Sequence, residues 1–233
     1  MNTITRKTAL LFALLGAAGA AHASVPGGLT YGLGLQAGTL GFGPDLNIGV
    51  NKNFGFDLGL NAYNYNKNMT QNDIKYNFNV KLNTVHLLAN YYPFGGIFHL
   101  TAGVVANGNK FSGDAQPSNG SGSNSETYSI NGTTYTAQQV GTLHGSIKFP
   151  GTAYYAGIGW GLSYSPQSHW GFNFDLGGLY QGKPTVALSS SGGTESNSPT
   201  LQKNIAEQQA KTQKDLNNFR WWPVLRIGAY YRF

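Results

Sequence analysis

The chain has 233 residues, with 15 Lys and Arg against 9 Asp and Glu, and no cysteine. Without thiols there is no disulfide framework, no thiolate metal site and no cysteine nucleophile. Charged residues are only 10 % and aromatics 13 %, and the basic residues are scattered rather than clustered, so a nucleic-acid surface is not expected.

The N-terminus reads as a secretory leader. Arg6 and Lys7 precede the apolar run Ala9–Leu15, and Ala21-His22-Ala23 supplies a small-x-small cleavage site. The pattern predicts a leader over 1–23, cleaved after Ala23, and a single domain over 24–233. The apolar run is too short for a retained anchor, which needs ~20 residues. Loss of Arg6 and Lys7 leaves 13 basic and 9 acidic residues, a net charge of +4. No later stretch forms a membrane helix, and a mean hydropathy of −0.26 is too polar for a helical bundle. It suits strands that turn one face to a polar lumen.

Period-two alternation then recurs along the chain. Leu29–Ala37 and Leu46–Asn51 are taken as the first two strands, divided at the Gly/Pro-rich run Gly38–Pro44. Single-chain bacterial barrels have even strand numbers, and this division brings the count to about eight. Phe54–Tyr65 sets Phe54, Phe56, Leu58 and Leu60 against Gly55, Asp57, Gly59 and Asn61. Ile74–Tyr92 alternates as far as Asn83, where the phase blurs. A bulge near Asn83 is expected there, and the direction of His86 is left open. Phe98–Ala106, Tyr154–Leu162 and Trp170–Tyr180 each place apolar residues out, with His99, Thr101, Asn173, Asp175 and several glycines in.

Short connections, 51–53, 93–96 and 165–169, alternate with long ones, Phe111–Ile147 and Lys183–Phe219. That asymmetry predicts periplasmic turns and extracellular loops. Ser118–Ser125 reads as flexible and low in complexity. Leu201–Asn218 reads as a solvated, frayed helix with Leu201, Ile205 and Leu216 as its few apolar residues.

The last strand alternates most clearly. Trp221, Pro223, Leu225, Ile227, Ala229, Tyr231 and Phe233 share one face, and Arg220, Arg226 and Arg232 fall on the other. A greasy outside and charged inside at the chain end predict an all-β, antiparallel transmembrane barrel. The terminal Phe233, with Tyr231 before it, resembles the assembly signal of bacterial outer-membrane proteins. The expected partners are outer-membrane lipid and the barrel-assembly machinery. Tyr154, Trp160, Trp170, Tyr180 and Trp221 are expected to form interfacial girdles.

Several patches resemble the CarO-type outer-membrane barrels, the ornithine-uptake porins. They are Tyr128–Tyr135, Trp170-Gly-Phe172, Tyr180–Leu188, Phe219–Val224 and Gly38–Gly43. The resemblance implies an eight-stranded barrel in the bacterial outer membrane that passes small, mainly basic amino acids and some β-lactams, without a shared catalytic motif.

The inward set is predicted to comprise Asp57, Asp175, His99, Arg220, Arg226 and Arg232, with Asn61, Asn173, Thr101 and Tyr230. These residues either brace a plugged barrel or line a narrow path whose carboxylates draw cationic solutes. No Gly-x-Ser-x-Gly elbow and no H-E-x-x-H pair is present, so an enzyme, a metal and a cofactor are not expected. The functional expectation is a narrow channel for small solutes such as basic amino acids. The alternative is a closed barrel acting through its extracellular loops.

Overall fold

The computed structural model describes residues 28–71, 73–117, 127–161 and 169–233. The predicted leader with its cleavage site, the Ser118–Ser125 run and Leu162 lie outside these residues. In chain order the elements are β1 (Thr30–Gly38), β2 (Gly41–Asn51), β3 (Phe54–Gln71), β4 (Ile74–Tyr91), β5 (Phe98–Asn107), β6 (Lys110–Pro117), β7 (Thr127–Ile130) and β8 (Thr133–Thr136). They continue with α1 (Ala137–Val140), β9 (Gly141–Lys148), β10 (Thr152–Trp160), β11 (Trp170–Tyr180), β12 (Thr185–Gly192), α2 (Pro199–Leu216) and β13 (Trp221–Arg232).

Eight strands close a ring of antiparallel neighbours, running β1, β2, β3, β4, β5, β10, β11, β13 and back to β1. The closing pair joins the two ends of the chain, with Gly32 opposite Arg232 and Gly38 opposite Arg226. A closed ring leaves no unpaired edge in the wall, the condition for placing strands in hydrocarbon. Outside the wall, Leu58, Leu60, Leu87, Leu100, Phe172 and Ile227 are all exposed. Aromatic pairs edge this apolar belt at both ends. Phe98 meets Trp160 at 5.7 Å and Trp170 meets Tyr231 at 5.1 Å near the turns, and Tyr180 meets Trp221 at 5.1 Å near the long connections. Lipid-facing walls with interfacial girdles have this pattern.

The division of the first segment holds, but its turn is tighter than expected. Only Thr39 and Leu40 separate Gly38 from Gly41, which face each other across the hairpin. Strand β2 therefore starts five residues before Leu46 and includes Pro44. The glycines of this run serve close strand approach: a Cβ on Gly43 would lie 2.0 Å from the Leu60 carbonyl oxygen.

The expected bulge near Asn83 is absent. β3 and β4 pair in unbroken register from Phe54–Tyr91 to Gln71–Ile74. What changes at Asn83 is the other neighbour of β4, which is β6 over Ile74–Lys81 and β5 over Thr84–Tyr91. The faces keep their direction and exchange their chemistry. Within the ring the inner face is polar (Thr84, His86, Asn90) and the outer face apolar (Val85, Leu87). Beyond it the same inner row carries Ile74, Tyr76 and Phe78, and Lys75, Asn77 and Lys81 take the other face. His86 points into the lumen.

That switch marks a part of the molecule that was expected to be two loops. The described residues hold thirteen strands rather than about eight. Five of them lie in the long connections, where β6, β9 and β12 extend from the upper half of β4 as a sheet and β7–β8 form a separate hairpin. The hairpin turns on Asn131-Gly132, both with positive φ (51° and 78°), the conformation that two-residue hairpin turns require. Ile74, Tyr128, Ile130, Tyr135, Val140, Leu201 and Ile205 are buried together. Helix α2 is thus docked rather than frayed. Its Gln209 and Gln213 side chains each accept from the edge of β12, at the Leu188 and Val186 amides, both at 2.9 Å. Covering a free strand edge in this way prevents unwanted strand pairing.

Candidate functional site

The lumen is filled in layers. Nearest the extension, Leu40, Leu88, Val105, Ala153, Tyr155, Leu179 and Val224 form a buried apolar layer, with Trp222 packed on it. Above this layer, Phe111, Phe149, Phe219 and Trp222 make a chain of ring contacts between 5.9 and 6.3 Å. Toward the turn end, Tyr92 and Tyr230 pack together, the Tyr230 hydroxyl donates to the Gly161 carbonyl at 3.0 Å, and Arg232 lies 5.4 Å from the Tyr230 ring centroid.

Between these ends lies a charged layer. Arg226 projects from β13 and donates from Nε to Asp175 Oδ2 at 3.0 Å and from Nη2 to Asp57 Oδ2 at 3.2 Å. Its Nη1 lies 3.6 Å from Asp45 Oδ2 and 3.4 Å from both Gln36 Oε1 and His86 Nε2. His99 Nε2 is 2.8 Å from Asp175 Oδ1, and its Nδ1 is 3.3 Å from the Ile97 carbonyl. Asn173 donates to Asp175 Oδ2 at 2.8 Å. Asp57, Asp175 and His99 are completely buried. Buried charges persist only when paired and hydrogen-bonded; the guanidinium hydrogen-bonds Asp57 and Asp175 and lies within ion-pair range of Asp45, joining four strands.

Glycine makes room for this arrangement. A Cβ on Gly159 would sit 2.3 Å from both Asp175 Oδ1 and His99 Nε2, and one on Gly59 would sit 2.5 Å from the His86 ring. The space left is small. A cavity of ≈ 20 Å³, bordered by Asn61, His86, Leu88, Tyr155, Val224 and Arg226, lies beside the charged layer. That is room for about one water. Larger spaces lie elsewhere. A cleft of ≈ 380 Å³ runs along the apolar face of the extension by Tyr76, Phe111, Leu143, Val186 and Thr212. A groove of ≈ 610 Å³ lies on the outer wall by Leu35, Phe42, Phe172 and Ile227.

Of the expected inward residues, the structure brings Asp57, Asp175, His99 and Arg226 into one layer, with Asn173 joined to it. Asn61 contacts His86 and Thr84 at its edge, and Thr101 bonds Asn90. Arg232 and Tyr230 are buried at the turn end. Arg220 does not face the lumen. It precedes β13, is exposed, and its Nε donates to the Asn217 carbonyl at 2.9 Å. The alternation of β13 therefore starts one residue later than expected, where Arg220 still belongs to the α2 connection. Asp45, Gln36 and His86 belong to the layer and were not in the expected set. Asp45 lies between the expected turn, Gly38–Pro44, and the expected strand from Leu46, yet the alternation of Gly43, Asp45 and Asn47 with Pro44, Leu46 and Ile48 carries the signal. Among the described residues, no group of three or more His, Cys, Asp or Glu could hold a metal ion.

A closed eight-stranded ring with an apolar belt and a filled, charged interior defines the class: a small transmembrane β-barrel. Its solved counterparts narrow this further. CarO2 of Acinetobacter baumannii aligns with a TM-score of 0.57 at 24 % identity, over 88 % of this chain and 98 % of that one. CarO of the same organism aligns with a TM-score of 0.55 at 22 % identity, over 87 % and 97 %. The chain has a CarO-type outer-membrane barrel fold. No family model matches the sequence, and no curated protein does.

Proposed function

We propose that this protein is an outer-membrane barrel, closed through its lumen, that works through the folded extension at its outer end. One observation carries the reading: the cavity beside the Arg226 layer has a volume of ≈ 20 Å³, and the larger cleft belongs to the extension. The Arg226 network acts as an internal brace. Export follows a leader cleaved after Ala23, and the barrel-assembly machinery reads the terminal strand with Tyr231 and Phe233.

A second reading has its own support. Three carboxylates, Asp45, Asp57 and Asp175, face the single guanidinium of Arg226, so the layer favours additional positive charge. On this reading the barrel is porin-like and admits small cationic solutes, basic amino acids among them, when Arg226 moves aside.

Solute entry into liposomes containing the refolded chain separates the two. The closed reading expects lysine, ornithine, glutamate and a neutral sugar all to enter at the rate of empty liposomes. Faster entry of lysine and ornithine alone, reduced by Asp57→Asn or Asp175→Asn, would replace it with the porin-like reading.

A further inference from the structure

The polar face of the extension carries an arrangement that neither reading uses. Asp114 on β6 lies directly across from His144 on β9, and His144 neighbours β12, which carries Ser191. Asp114 Oδ1 is 2.7 Å from His144 Nδ1, and His144 Nε2 is 3.0 Å from Ser191 Oγ. Three residues from three strands, 30 and 47 positions apart, form a continuous carboxylate–imidazole–hydroxyl chain.

The chemistry of this chain is directional. A carboxylate accepts only, so it holds the proton of neutral His144 on Nδ1 and leaves the Nε2 lone pair facing Ser191. The hydroxyl then donates to Nε2, and the imidazole is placed to take its proton. A nucleophile within reach of a base that a third group orients is the arrangement of covalent acyl-transfer sites. Ser191 is exposed, and a Cβ added to the adjacent Gly192 would meet nothing within 4 Å, so an ester can approach.

The geometry points to Ser191 as a nucleophile, His144 as its general base and Asp114 as a positioning residue, acting on polar, short-chain acyl esters. Ser191 attacks the ester carbonyl carbon, and its proton passes to His144 Nε2. The carbon–alkoxide bond then breaks, and the alcohol leaves with that proton. Water gives a proton to His144 and its oxygen attacks the acyl carbon. The Ser191 ester bond breaks, the proton returns to Ser191 Oγ, and a carboxylic acid is released. The substrate is soluble rather than membrane-bound. Thr185 begins β12 at the barrel end, and Ser191 lies six residues further out, ~20 Å along the strand. Among the described residues this face is polar, with Asn77, Gln116, Thr142 and Ser189 around the chain. General-base assistance of this kind contributes about 10²–10⁴-fold.

Folded full-length chain in detergent micelles tests this with a biotinylated fluorophosphonate and with p-nitrophenyl acetate. The expected result is a phosphonyl adduct on Ser191, found by peptide mass spectrometry. Both the adduct and ester hydrolysis above the buffer rate should vanish in Ser191→Ala and His144→Ala. Asp114→Asn should slow labelling by at least about 10-fold and Asp114→Glu should restore it, which a merely structural role for Asp114 would not do. All four substitutions are on a water-facing sheet, and circular dichroism of each variant checks that the barrel is folded. An unlabelled Ser191 in folded protein, under conditions that label chymotrypsin, overturns the proposal. So does hydrolysis that persists in Ser191→Ala.

Discussion

Arg226 lies among Asp45, Asp57 and Asp175 inside a wall that faces hydrocarbon, so its neighbours depend on its charge. Removing one partner of a buried ion network leaves the others uncompensated, which costs about 3–5 kcal/mol. Arg226→Met is expected to lose stability of that order in urea unfolding from bilayers. Adding Asp45→Asn, Asp57→Asn and Asp175→Asn to it should recover most of the loss, because the orphaned charges go with the guanidinium. Gly159 gives a sharper test of shape. A methyl there would lie 2.3 Å from His99 and Asp175, and overpacking of a filled core costs about 1–3 kcal/mol. Gly159→Ala should therefore destabilise the barrel although it adds one carbon. At this scale most of the layer was legible, since alternation alone places Asp57, Asp175, His99 and Arg226 inward. Asp45 was obscured because the same glycines that allow close strand approach also resemble a turn. Arg220 was misplaced because alternation does not show where a strand begins.

At the scale of elements, the ring and the extension are held by different forces. The ring closes through strand pairing, with small residues where backbones approach. The extension has a conventional apolar core, to which α2 contributes Leu201 and Ile205. Leu201→Ala removes a fully buried side chain and should cost the extension about 2–5 kcal/mol. Limited proteolysis is the readout: cleavage within 199–216 should speed up, with the ring still protected. If cleavage is unchanged, α2 is held by its Gln209 and Gln213 bonds to β12 rather than by its apolar side. The extension was hidden in the sequence for a physical reason. Its strands are four to eight residues long and half-covered, and two of them, β9 and β12, are rich in Ser and Gly. Its one helix has few apolar residues, so neither period stands out. The apparent phase slip in β4 was the visible trace. It records a change of surroundings, from lipid and lumen to water and core, along an uninterrupted strand.

At the scale of the whole molecule, the chain combines a wall that is apolar outside with an interior that carries the Arg226 network and an apolar layer. Alternation could specify the wall, because lipid dictates the chemistry of every second residue, and the even-number rule brought its strands to eight. It could not specify whether the lumen is open, because that depends on how Arg226, the carboxylates and the apolar layer of Leu88, Tyr155 and Val224 fill a common volume. The terminal strand belongs to this scale too, since β13 closes the ring against β1. Phe233→Ala is expected to lower the amount of assembled barrel in the outer membrane severalfold, measured by fractionation, with little effect on the stability of the barrel that does form. Conductance in planar bilayers tests the closed lumen most directly. The wild-type chain, shown to be folded and inserted, should give no steady current, and Arg226→Ala should give a small one. A stable open conductance from the wild-type protein would contradict the closed lumen.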